Sequence, residues 1–350
     1  MRRIRSVWWL LFAALWFACA DSPSDGGAGG SGGTAGTGGT GGTGGTGGVG
    51  GDGGTGGSGG DVVIPTDEFD TGWEPEVPDA IYEDLDADPR PAGCTPEYDY
   101  VAKVRGWIAA PGGKPLPGAF AQLCVYNSSG AYVCLSPAMA DDDGVYTVDV
   151  PEAFRCVESV AMRVLLPLSH RATVYCPFEP GDEPVTRLEM PTVLPFAMPV
   201  EDLPPLGNED EAREVVLHDG MRLQVTPSLF VSGSSSYGKL GGRRIPTDAV
   251  GLCGEASEFD GLYAFHPEDW LKEPGFPFSI ENATGLPAGA RVEFLALGGL
   301  DSSLFDGTKV PEGEWAVFGE GEVSEDGAII VADEGVGLPF LTWLAYRLKE

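Results

Sequence analysis

From Tyr98 to Leu348 no stretch keeps the 3.6-residue period of an amphipathic helix, and this most limits what the chain can fold into. Short runs of β-branched and aromatic residues alternate instead with Gly, Pro, Asn and Asp, at spacings typical of antiparallel sandwiches. The spacing predicts strands at Val101 to Ala109, Ala119 to Tyr126, Tyr132 to Leu135, Val145 to Val150, Val160 to Leu166, Ala172 to Cys176 and Val185 to Met190. A Pro-rich acidic stretch, Pro199 to Glu211, then interrupts the pattern, and a second strand series runs on to Leu348. The expected class is all-β, with β-sandwich modules at 98–198 and 214–350 joined by a linker at 199–213. About 250 residues are enough for two ordinary hydrophobic cores.

The N-terminal part is of a different kind. Met1 to Arg5 carries three arginines and no acid, and Val7 to Ala18 is an almost unbroken apolar run, the pattern of a signal segment over residues 1–18. A dozen residues at ~1.5 Å each cannot cross a hydrocarbon core of ~30 Å, so cleavage fits better than a permanent span. Small residues Ala18 and Ala20 flank Cys19, where a lipoprotein signal peptidase would cut and the cysteine would be acylated. An ordinary secretory cut near Ala20 is the alternative, and both readings export the chain.

Residues 19–60 form the next segment. The 35 residues from Gly26 to Gly60 hold 23 glycines in Gly-Gly-Thr triplets, so there is almost nothing to bury against the entropy of ordering. A flexible coil of this kind has a mean reach of roughly 30–40 Å, enough to clear a headgroup layer. No Gly-Lys-Ser/Thr ending accompanies the glycines, so a phosphate cradle is not indicated. Asp61 to Pro91 adds eleven acidic residues against Arg90 alone, together with five prolines, and 61–97 reads as an extended acidic spacer. Its Phe69, Trp73 and Tyr82 are the residues able to dock on the folded part.

The formal net charge of −32 makes nucleic acid a poor partner, since no Lys/Arg stripe exists to overcome the repulsion. Six cysteines remain besides Cys19, an even number that favours disulfides in an exported chain. Cys124 and Cys134 flank a hairpin turn at Asn127 to Gly130 and can meet across its strands. Cys156 and Cys176 bracket another strand pair, which leaves Cys94 and Cys253 for a long-range bridge. Fifteen connectivities are formally open to six cysteines.

Three resemblances bear on this reading. WFAC resembles a bacterial lipobox, with Trp16 where leucine is usual. VRGWIAAPGGKPLPGAFAQLCVY followed by DDDGVYTVDV resembles the carboxypeptidase regulatory-like family, a small seven-stranded sandwich, over Tyr98 to Met198. That family's module is non-catalytic and serves display, folding or interaction; the cysteines here are additional to its pattern. GLYAFHPEDW, FSIENATGLPAGARVEFLAL and GEWAVFGEGEVSEDGAIIVADEGVGLPFLTW look like a β-sandwich of bacterial surface proteins, with a turn at Pro287 and Gly289 and a hairpin over Gly319 to Gly327. It brings no catalytic residues with it.

Catalytic patterns are few. His170, His218 and His266 are the three histidines; they lie far apart, without H-E-x-x-H or paired cysteines, and His266 precedes Pro267 at a strand end. The serines from Ser232 to Ser236 lack a G-x-S-x-G elbow and read as a polar loop. Carboxylates are too abundant for a glycosidase pair to be informative. Asp141, Asp142 and Asp143, crowded before Gly144, are candidate calcium ligands, although an Asp-Gly turn between strands explains them without metal. Trp107, Trp270, Trp315 and Trp343 suit either a glycan platform or a sandwich core. The expected function is a non-enzymatic lipoprotein of the cell envelope, at the outer membrane or surface of a Gram-negative bacterium. It would be anchored in the membrane through Cys19 and display modules that bind an unidentified protein or glycan. The alternatives are a structural or accessory subunit of an envelope assembly and an unrecognised hydrolase.

Overall fold

The computed structural model describes residues 73–350, except 182, 196–197, 199–201 and 250–257. The expected signal segment, Cys19, the glycine tract and Cys253 lie outside the described residues. The fold is all-β, and the helical turns among the described residues are short 3-10 segments.

Two sheets make the first module. One has the order β1 (Asp99–Tyr100), β7 (Cys156–Leu165), β3 (Phe120–Asn127), β4 (Tyr132–Cys134), with β5 (Ala138–Met139) beside β3 and β8 (Val174–Pro177) beside β7. The other places β2 (Lys103–Ala109) between β6 (Val145–Asp149) and β10 (Thr192–Val193), with β9 (Val185–Arg187) also on β2. β9 and β10 run parallel to β2. The period of two sends Val104 and Ile108 into the main core with Leu123, Val125, Met162 and Val164.

The opposite face of β2 is also buried. Trp107 and Ala109 pack there with Val145 and with Ile81, which is fully buried although it lies in the acidic spacer. From Trp73 onward the spacer is a strap: Arg105 of β2 pairs with Glu83 at 2.9 Å, and Arg155, just before β7 of the other sheet, pairs with Asp88 at 2.7 Å. The strap fits the surface because its apolar residues Trp73, Val77 and Ile81 recur every fourth position, while the acids between them stay in water.

One nine-stranded antiparallel sheet makes the second module. Its order is β11 (Arg213–Val216), β12 (Arg222–Val225), β15 (Phe278–Glu281), β18 (Ile329–Ala332), β17 (Trp315–Val323), β16 (Arg291–Leu297), β19 (Trp343–Leu348), β14 (Gly261–His266), β13 (Gly241–Ile245). The sheet curls until its ends approach: a Cβ on Gly242 of β13 would stand 2.9 Å from Leu217, just past β11, and the Arg244 N–H donates to Asp219 at 2.9 Å. One face therefore encloses its own core, to which Tyr263, Phe265, Phe294, Leu344 and Tyr346 contribute. Alternate residues of the same strands, Leu262, Ala264, Leu295, Trp343 and Ala345, join the core of the first module. Burial on both faces explains why these strands read as continuous apolar runs rather than alternating ones.

The segment between the modules is packed as well. Leu203 lies against the second core, the Tyr237 hydroxyl donates to Pro204 O at 2.7 Å, and the Arg213 guanidinium binds the carbonyls of Pro205, Leu206 and Asn208.

Cys124 and Cys134 are bonded across the β3–β4 hairpin, where they are direct register partners. Cys156 bonds to Cys94, which corrects the expected Cys156–Cys176 and Cys94–Cys253 pairs. Strand register decides the matter. β1 pairs with the start of β7, Tyr100 opposite Cys156, bringing the turn that carries Cys94 alongside. Cys176 stands opposite Met162, so along β7 it is roughly 20 Å from Cys156 at ~3.3 Å per residue. Cys176 is itself disulfide-bonded, and no described cysteine remains to be its partner.

Candidate functional site

Three depressions differ in how their charges are used. One, about 650 Å³, lies at the end of β19 and is bordered by Glu258, Asp260, Glu293, Arg347 and Lys349. Its groups answer one another: Arg347 pairs with Glu293 at 3.2 Å, Asp260 accepts the Leu348 N–H at 2.6 Å, and Lys349 pairs with Glu320. A second, of about 490 Å³, is the space beneath the strap between Trp73, Trp107 and Gly113.

The third is a cleft of about 270 Å³ formed by the 273–275 turn, the β16–β17 loop, the start of β17 and residues 335–339. Glycines bring its backbones together. A Cβ on Gly275, whose φ is +76°, would stand 2.1 Å from Leu338 O, and one on Gly337 would stand 2.3 Å from Pro274 O. A Cβ on Gly319 would stand 2.3 Å from the Val336 side chain, so only glycine lets that side chain approach. β17 bulges at Phe318, since Phe294 pairs with Gly319 while Leu295 pairs with Val317. The bulge turns Val317 and Phe318 toward the cleft, the kind of re-aiming that bulges produce. Phe305 is 37% exposed and Val317 44% exposed, values high for large apolar side chains. At the margin stand Glu273 and Asp306. Hydrogen bonding to Thr308, whose N–H reaches the Asp306 carboxylate at 2.8 Å, holds that carboxyl below the usual carboxylate range.

The junction between modules carries a second polar constellation. Arg163 of β7 reaches Glu268 at 3.0 Å, Gln122 at 3.1 Å and the Tyr175 hydroxyl at 3.1 Å. The Tyr175 hydroxyl donates to Glu268 and accepts the Leu300 N–H at 3.3 Å. Glu268 is 8% exposed at its side chain, and burial followed by its charge pushes the Tyr175 hydroxyl well above its usual range. Near this network His170 and His266 meet with ring centroids 5.0 Å apart, and His266 Nδ1 lies 3.3 Å from Arg171 O. Burial, and then the proximity of His170, pushes the His266 pKa down. Nothing in the spacing of the histidines signals this contact; it arises only when β14 packs beside the segment before β8.

The other residues singled out by the sequence have local roles. Asp141 accepts the backbone N–H of Asp143 at 3.0 Å and of Val145 at 2.9 Å, and Gly144 follows at φ +75° with no room for a Cβ beside Ile108 O. Among the described residues no group of three or more His, Cys, Asp or Glu is placed to hold a metal ion. Trp107 donates to Glu189 O at 2.9 Å and Trp343 to Thr173 O at 2.7 Å, both rings being buried. Trp315 packs edge-on against Phe259, and Trp270 lies against the cluster of Ala296, Val310 and Phe340. His218 lies 3.5 Å from Asp219. Ser232 donates its hydroxyl to Asp269, which is 1% exposed, and Ser236 stands 2.9 Å from Ser232. These serines cap a buried carboxylate that the sequence pattern did not single out.

No family model matches the chain, and no curated protein matches it. Among solved structures it is similar to a DUF3823 family protein from Bacteroides ovatus ATCC 8483, at 9% identity over 71% of this chain and 97% of that one, with a TM-score of 0.17.

Proposed function

We propose that this chain is a non-enzymatic extracytoplasmic binding protein, held at the bacterial envelope by a lipid on Cys19. It presents residues 73–350 to a protein or glycan partner at the end of the glycine tether. The observation that carries the reading is the pair of disulfides Cys94–Cys156 and Cys124–Cys134. Such bonds form and persist in oxidising compartments, and the arginine-led apolar segment ahead of Cys19 is the means of reaching one. The likeness of 98–198 to the carboxypeptidase regulatory-like family supports display rather than turnover.

The test is to fractionate Gram-negative cells expressing the full chain or Cys19→Ser, and to cross-link the former to its envelope neighbours. Membrane association that is lost in Cys19→Ser supports the anchor. Specific turnover of a cell-wall or peptide substrate, abolished by a point substitution, would overturn the binding reading. A stoichiometric envelope neighbour would instead make the protein an accessory subunit of an assembly.

A further inference from the structure

We propose that the cleft between the 273–275 turn, the β16–β17 loop and the 335–339 segment binds a single lysine or arginine side chain, presented by a basic peptide or protein. The proposal rests on the reading of this chain as a binding protein and names the chemistry of its partner.

Size sets the first limit. Pockets for whole small molecules span roughly 300–1,000 Å³, and a cleft of about 270 Å³ suits one long side chain better. Its lining sets the second. Leu304, Val317, Val336 and the rings of Phe305 and Phe318 offer apolar walls to a methylene stem. The Phe305 ring, 37% exposed, also puts into the lining an aromatic group of the type that attracts ammonium and guanidinium ions.

Charge sets the third. Glu273 and Asp306 make no ion pair among the described residues. The lysines adjacent in the chain are engaged elsewhere: Lys272 donates to Ser228 O at 2.8 Å and Lys309 pairs with Asp301 at 2.6 Å. The cleft thus keeps two negative charges beside an apolar slot, in a chain of net charge −32 that draws cations toward its surface. An apolar stem with a cationic head complements both features. A bare metal ion would leave the apolar walls unused, and an anion would be repelled.

The test uses the exported full chain carrying Cys19→Ser, with backbone NMR shifts followed during titration. The probes are Nα-acetyl-lysine amide, Nα-acetyl-arginine amide, the uncharged Nα-acetyl-norleucine amide, and methylammonium as a head without a stem. The lysine and arginine probes should move signals of Gly275, Phe305, Val317 and Gly337, and should bind at least tenfold more tightly than norleucine or methylammonium. Glu273→Gln with Asp306→Asn should remove that preference, and Phe305→Leu should weaken the cationic probes several-fold while leaving norleucine unchanged. All three side chains lie at the cleft, and the Asp306→Asn change keeps an amide oxygen to accept the Thr308 N–H, so the fold is retained and circular dichroism verifies it. Equal binding of norleucine, or dispersed shifts that methylammonium reproduces and the double variant does not alter, would overturn the proposal. Either result leaves acylation at Cys19, read independently by mass, where it stood.

Discussion

The ring centroids of His170 and His266 lie 5.0 Å apart with their planes tilted by 51°, one ring contributed by the first sandwich and the other by β14 of the nine-stranded sheet. Their closeness ties the junction to pH. His266 is half-buried, and burial, His170 and Lys239 depress its pKa, in that order of causes with the Arg171 carbonyl opposing them. The unfolded chain, with an ordinary value near ~6.5, therefore binds more protons than the folded one at mildly acidic pH. Stability should be complete above the unfolded value, fall as the pH drops below it, and stop falling once the folded pKa has been passed. Urea unfolding across pH 5–8 should show this slope, and His266→Gln should flatten it. Equal slopes in the two proteins would remove His266 from the account.

Arg163→Met leaves Glu268 without its cation in a site where the carboxylate side chain is 8% exposed. Removing one partner of a buried pair costs about 3–5 kcal/mol, and the lower end applies because the Arg163 side chain is 19% exposed. Adding Glu268→Gln should recover part of the loss, because the surviving Tyr175 hydroxyl can still donate to an amide oxygen. Chemical denaturation of both variants measures the difference.

The two described disulfides should contribute unequally. Cys94–Cys156 closes a sequence separation of 62 and Cys124–Cys134 one of 10. On the chain-entropy account these are worth about 4 and about 3 kcal/mol respectively. Paired alanine replacement should therefore lower the unfolding midpoint more for the first pair. Non-reducing peptide mapping should recover both links.

At the turn before β6, Asp141→Ala should cost about 1 kcal/mol through lost bonds to the Asp143 and Val145 N–H groups. Asp141→Asn, which keeps an acceptor oxygen, should be near neutral. Gly144→Ala should cost at least about 1–2 kcal/mol, because L-residues resist the left-handed region and the new Cβ would stand 2.4 Å from Ile108 O. Thermal melts with and without added calcium measure any metal contribution to the same turn.

What could be read from the sequence follows the range of the forces involved. The strands of the first module, the Asp143-Gly144 turn and the meeting of Cys124 with Cys134 depend on neighbours a few residues apart, and local pattern carries them. The Cys94–Cys156 bond depends on the register of the two-residue β1 against β7, and Tyr100 carries no mark of its partner. The nine-strand order is equally silent in the sequence, because β-propensity names strands without naming neighbours. Ile81 lay hidden in a segment whose prolines and acids suggested an extended spacer; its spacing from Trp73 and Val77 was the available signal. The cleft and the His170–His266 contact are both products of tertiary packing, joining segments that no periodic pattern connects.

The central claim is that this all-β body is exported and tethered through Cys19. The most direct measurement is the mass of the mature N-terminal peptide, from the full chain and from Cys19→Ser, expressed in a Gram-negative host. The account predicts an acylated peptide beginning at Cys19 that disappears in the variant. An unmodified peptide beginning after Ala20, with the protein in the soluble fraction, would contradict it.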